Sequence, residues 1–203
     1  MSKYFQYGKK EIDYLSSRCV RMKALIERIG PYQREVTPDV FTALCCSIIG
    51  QQISVKAAYT VIDRFKKTVG EVTAENILRR QRKTIQKCGM TMKKVEYLRG
   101  VAKAVQAGEI DFTTLNDLTD AEIIAELTQL KGVGVWTVEM LMLFSMQRPN
   151  VMSYGDLAIC AALRELHELE TLTKKEFETY KELYSPYGST ASLYLWALAG
   201  EMK

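Results

Sequence analysis

The chain has 203 residues, 47% of them hydrophobic and 26% charged, which excludes an intrinsically disordered polymer and is enough for one buried domain or two helical lobes. Its 28 Lys and Arg against 24 Asp and Glu leave a formal charge of only +4, so contact with nucleic acid has to rest on local placement rather than on a strong overall field. No apolar run is long enough for a bilayer span and no signal peptide is expected, which points to a cytoplasmic protein.

Apolar positions at helical spacing predict helices over 9–29, 38–50, 54–68, 74–87, 92–107, 120–130, 134–147, 156–168, 173–184 and 189–202, with Gly or Pro near most breaks and no convincing strand. The fold class is therefore all-α. Gly30-Pro31 separates the first helix from the second, Ser54 is expected to cap the third, and 108–119 is the longest connection. In 131–134, KGVG reads as a tight turn that needs unusual backbone angles. Helix, turn and helix over about 120–147 make a helix-hairpin-helix. Pro149 should stop the second hairpin helix near Gln147 or Arg148, and NVMSYG connects to a helix for which Asp156 is the expected N-cap. His167, the single histidine, is expected at the surface or at a helix end.

The hairpin has a physical use beyond the turn. Without side chains at Gly132 and Gly134, the backbone can approach a bulky anion, and the free N–H groups of the next helix point at it. Lys131, Gly132, Val133 and Gly134 are thus candidate phosphate contacts. The plainer reading is an αα-hairpin whose glycines serve only the turn, and the plainer reading of Asp156 is a helix cap and nothing more. Lys56, Lys93 and Lys94 are further candidates for phosphate, weighed against solvated helix faces.

Residues 130–156, LKGVGVWTVEMLMLFSMQRPNVMSYGD, resemble the HhH-GPD superfamily of DNA glycosylases, in which a Gly/Pro-rich loop ends in the catalytic aspartate. FTALCCSIIGQQISVKAAYTVIDRF, 41–65, is similar to the segment carrying the DNA wedge in the 3-methyladenine DNA glycosylase II type. YSPYGSTASLYLW, 184–196, is similar to the start of that type's C-terminal helix and its pocket tryptophan. The resemblance spans about 38–200. It implies one HhH-GPD domain over 1–203, with two helical lobes flanking a cleft, the loop and catalytic Asp156 at about 148–156, and no N-terminal β-rich domain of the kind found in the longer bacterial enzyme.

It also implies a chemistry. Asp156 would stabilise positive charge on deoxyribose as the N-glycosidic bond of an alkylated purine such as 3-methyladenine breaks. Bifunctional members carry a lysine nucleophile where this chain has Trp136, so the implied enzyme is monofunctional and lacks AP lyase activity. Gln52, with Gln51 as its neighbour, matches the wedge that fills the stack after base flipping. Trp136, Met140 and Trp196 fall on pocket positions, and Tyr154 joins them by its nearness to Asp156. Met140 replaces an aromatic residue and Gly155 an acidic one, which leaves base preference open.

No cofactor is required by this chemistry. The resemblance adds a monovalent cation, Na or K, held by the carbonyls of Thr128, Leu130 and Val133. The four-cysteine array of an iron–sulfur cluster is missing, since nothing after Cys160 is cysteine, and Cys19, Cys45, Cys46, Cys88 and Cys160 read as reduced thiols. The implied partner is double-stranded DNA with damaged bases, met by a monomer in the cytoplasm, or at the nucleoid in a bacterium, without membrane contact. A non-catalytic helix-hairpin-helix module and a glycosylase for another damaged or mismatched base are the alternatives.

Overall fold

The computed structural model of the chain describes residues 3–202. Among them the only pairing of extended backbone is an isolated bridge between Tyr4 and Glu35, and the rest is helix and connection. No helix of the described residues is long and apolar enough to cross a membrane. The chain divides into two compact units, Thr37–Leu141 and the combination of Met1–Val36 with Met142–Lys203.

The unit Thr37–Leu141 is built around one helix. α3 (Val40–Gly50), α4 (Val55–Val69), α5 (Ala74–Arg79) and α6 (Arg82–Gln86) precede α7 (Met92–Gln106), and α3, α5 and α6 pack on it. α7 buries Val95, Leu98, Val101 and Ala102, and Ile48, Phe65, Ile77 and Ile85 of the unit are fully buried as well. Each large side chain removed from water in this way contributes about 1.5–3 kcal/mol. α8 (Asp120–Leu127) and the start of α9 (Val135–Phe144) follow. Ser54 caps α4, its hydroxyl accepting from Ala57 N–H at 3.2 Å, as its position predicts.

In the other unit, α1 (Lys9–Arg18) and α2 (Val20–Ile29) join α10 (Leu157–His167), α11 (Lys174–Tyr184) and α12 (Gly188–Glu201). α12 is the axis and touches the other four. Its residues from Gly188 to Leu195 are all buried, among Leu15, Met22, Ile159, Leu163, Phe177 and Tyr184.

Two expected helices are each broken in two. The run 9–29 is interrupted at Cys19, whose backbone is extended at φ −146° and whose thiol accepts from Met22 N–H at 3.3 Å, so that one residue ends α1 and caps α2. The run 74–87 is interrupted at Arg80 and Gln81. There the Arg99 guanidinium takes the carbonyls of Ile77, Leu78 and Arg80, satisfying a helix end that would otherwise continue. The hairpin helices are also shorter than expected, ending at Leu127 and Phe144, and Gln147 already has a left-handed φ of +54°.

Candidate active site

The loop that leads to Asp156 is held by the first turns of α12. Ser189 Oγ donates to Arg148 O and accepts from Val151 N–H, while Ser192 Oγ donates to Val151 O at 3.0 Å. Buried polar groups are thereby paired across a segment without secondary structure of its own. One turn beyond Ser192, and so on the same face of α12, is Trp196.

Trp196 and Asp156 meet. Asp156 caps α10 as expected, its Oδ1 accepting from Ala158 N–H and Ile159 N–H at 3.0 Å each, and the same oxygen accepts from Trp196 Nε1–H at 3.2 Å. The residue is only 8% exposed. A carboxylate can be this buried because the positive end of α10 and an indole donor compensate its charge.

Behind the tryptophan stands a residue the sequence reading missed. Phe144, at the end of α9, lies with its ring 5.2 Å from that of Trp196 at an interplanar angle of 31°, and the Arg34 guanidinium lies 5.5 Å from the centre of the Phe144 ring. Tyr154 is partly exposed and its ring packs edge-on against Phe177 at 5.3 Å, so its nearness to Asp156 in sequence does not bring it into this stack. His167 is the last residue of α10, a helix end as expected, and is half-buried there. Its Nε2 lies 2.9 Å from Tyr184 Oη and its ring lies on Tyr180, while burial and the Arg21 charge lower its pKa.

In the unit Thr37–Leu141, the hairpin forms from α8, whose N-terminus Thr119 and Glu122 close with a reciprocal capping box. Leu130 O accepts Val133 N–H at 3.1 Å and Gly132 turns the chain at φ +88°. The unusual backbone angle expected of the turn falls on Gly132, and Gly134 has no positive φ. A Cβ at Gly132 would stand 2.3 Å from the Tyr97 ring, whereas one at Gly134 would meet nothing within 4 Å. Gly134 therefore leaves room for an anion instead of making the turn.

Trp136 is 42% exposed, so packing in the core does not account for it. It lines a concavity of about 720 Å³ together with the turn Gly50–Ile53, Lys94, Tyr97 and Gly132. Met140, one turn on, is partly buried. The two candidate wedge residues differ sharply. Gln51 Nε2 donates to Gly132 O at 2.9 Å, whereas Gln52 is exposed at the turn with φ +56°. Lys56, Lys93 and Lys131 are exposed, whereas Lys94 is half-buried and two of its ammonium's three N–H donors are taken, by Ile49 O at 2.7 Å and Gln51 O at 2.6 Å. All five cysteines are free thiols, and the described residues contain no group of three or more His, Cys, Asp or Glu placed to hold a metal.

A helix-hairpin-helix followed by a loop that delivers a buried aspartate to the next helix start defines a class of DNA base-excision proteins, and the comparisons with known proteins agree. Residues 45–186 match the HhH-GPD superfamily of base excision DNA repair proteins. Over 196 residues the chain is 33% identical to DNA-3-methyladenine glycosylase 1 of Schizosaccharomyces pombe, an alignment covering 93% of this chain and 86% of that protein. Among solved structures it is similar to a DNA-3-methyladenine glycosidase from Bacillus halodurans, with a TM-score of 0.87, 32% identity, and 99% of this chain and 94% of that one covered. It is also similar to the Schizosaccharomyces pombe 3-methyladenine DNA glycosylase in complex with abasic DNA, with a TM-score of 0.82, 32% identity, and coverage of 93% and 95%. The chain belongs to the HhH-GPD superfamily.

Proposed function

We propose that this chain is a monofunctional DNA glycosylase that flips alkylated purines such as 3-methyladenine out of duplex DNA and hydrolyses their N-glycosidic bond. The observation that carries the reading is Asp156, a buried carboxylate held by the α10 N-terminus and by the Trp196 indole. As the bond breaks, positive charge develops on the sugar, and a fixed carboxylate favours that state over the neutral ground state. An alkylated purine is cationic and leaves readily, so the step needs no strong general acid. Its charge suits electron-rich faces of the kind Trp136 and Trp196 offer.

Product chemistry follows from position 136. An indole cannot form the imine that leads to strand cleavage, so the product is an intact strand with an abasic site. Lys131, Gly132, Val133 and Gly134 would hold the backbone phosphate, and Gln52, exposed at its turn, would fill the gap in the stack. A monovalent cation fits the hairpin. Leu130 O accepts one N–H, from Val133, and a carbonyl has a second acceptor position, so Thr128, Leu130 and Val133 could hold an ion that adds positive charge facing the phosphate.

One observation favours a second reading, a binding module without catalysis. The two N–H bonds to Asp156 Oδ1 are those of an ordinary helix cap. Incubation of methylated duplex DNA with the chain separates the readings: the proposal expects free methylpurine, abasic sites that break only on alkaline treatment, and no DNA–protein adduct after borohydride reduction. DNA binding without base release would favour the module, and a borohydride-trapped adduct would contradict the monofunctional assignment.

A further inference from the structure

Lys94 and Tyr97 lie three residues apart on α7 and so share a face of the helix. Both reach the place where the Gln52 turn meets the hairpin, but they hold different halves of it. The Lys94 ammonium binds the carbonyls of Ile49 and Gln51 at the C-terminal end of α3, where unpaired carbonyls and the negative end of the helix dipole gather. The Tyr97 ring lies against Gly132 too closely to admit a Cβ. Between the two, Gln51 Nε2 donates to Gly132 O at 2.9 Å. Gln52 sits at the joint with φ +56°, a conformation that a non-glycine residue keeps only when its surroundings hold it there.

We infer that Lys94 is a positioning residue for base flipping: with the Gln51 carboxamide it locks the Gln52 turn to the hairpin, so that seating a backbone phosphate at Gly132–Gly134 fixes where Gln52 enters the stack. The inference rests on the glycosylase reading above. It gives Lys94 a role beyond pairing with phosphate, because two of its ammonium's three donors are turned onto backbone carbonyls. Burial accordingly lowers the Lys94 pKa from the ordinary lysine value.

Three substitutions in the full chain test this. Lys94→Met removes the donors and keeps most of the stem, Lys94→Arg keeps charge and donors, and Gln51→Leu cuts only the tether to Gly132. Thermal midpoint, salt dependence of binding to duplex with an abasic-site analogue, fluorescence of 2-aminopurine placed beside the lesion, and single-turnover release of methylated base at saturating enzyme are compared with wild type. Lys94→Met and Gln51→Leu should lower both the flipping signal and the saturating release rate about tenfold, the scale of a lost hydrogen bond to a charged or well-placed donor. The slope of log affinity against log salt should stay unchanged, and Lys94→Arg should restore part of both losses. A slope reduced by about one, with release at saturation unaltered, would make Lys94 a plain phosphate contact and overturn the inference. Wild-type flipping and release in both variants would overturn it as well. If Lys94→Met does not fold, Lys94→Arg decides: a partial loss of flipping and release supports the inference, and wild-type values of both overturn it. Failure of the wild-type chain to release base counts against the glycosylase reading instead, and the flipping and salt-slope measurements still decide the role of Lys94.

Discussion

Trp196 Nε1–H donates to Asp156 Oδ1 at 3.2 Å, to the same carboxylate oxygen that caps the first turn of α10. On the proposed function the tryptophan is therefore more than a pocket wall, because it helps to fix the rotamer of the carboxylate that would face the sugar. Trp196→Phe keeps a ring against Phe144 and loses the donor. Since a hydrogen bond to a charged group is worth about 1.5–3 kcal/mol, base release in a single turnover should slow about tenfold or more, with affinity for abasic DNA unchanged. Wild-type release by this variant would remove the positioning role.

The two hairpin glycines should separate cleanly by mutation. At Gly132 alanine meets both a left-handed backbone and the Tyr97 ring, and Gly132→Ala should cost about 2–3 kcal/mol and weaken DNA binding. At Gly134 the added methyl points into open space, so stability should stay within about 0.5 kcal/mol while DNA affinity falls. Thermal midpoints and binding to abasic duplex measure both effects. Equal destabilisation by the two substitutions would contradict this division of roles.

His167 gives the fold a pH dependence in a range where no other side chain of this sequence ordinarily titrates, as it is the single histidine. Burial first, and the Arg21 charge second, lower its pKa in the folded state below the ordinary 6.5. The unfolded chain then takes up the proton first as pH falls. The stabilisation is complete above 6.5 and is lost as pH drops through the folded value. The thermal midpoint should fall on acidification below 6.5, and His167→Gln should flatten that limb; an unchanged limb in the variant would refute the assignment.

Local chemistry made some features readable without coordinates. Asp156 as a cap, Ser54 as a cap and the KGVG turn each depend on a few neighbouring residues. The breaks at Cys19 and Arg80 were not readable for the opposite reason. The apolar period runs on through both, and what stops the helix is a thiol cap in one case and a guanidinium from α7 in the other. Phe144 was missed because VWTVEMLMLF is apolar on most of its circumference, so periodicity cannot select the residue that meets Trp196. The different settings of Gln51 and Gln52, and the engagement of Lys94, depend on contacts between residues tens of positions apart. Sequence spacing carries no trace of them.

Asp156→Asn is the substitution that tests the central claim most directly. Asparagine caps a helix about as well as aspartate and so preserves the start of α10, but it has no negative charge to stabilise the sugar cation. Release of methylated purine from duplex DNA is measured for both proteins, with binding to abasic-analogue duplex alongside. The account predicts release by wild type, a fall of about a hundredfold or more in the variant, and similar binding by the two. Base release by Asp156→Asn at the wild-type rate would contradict it.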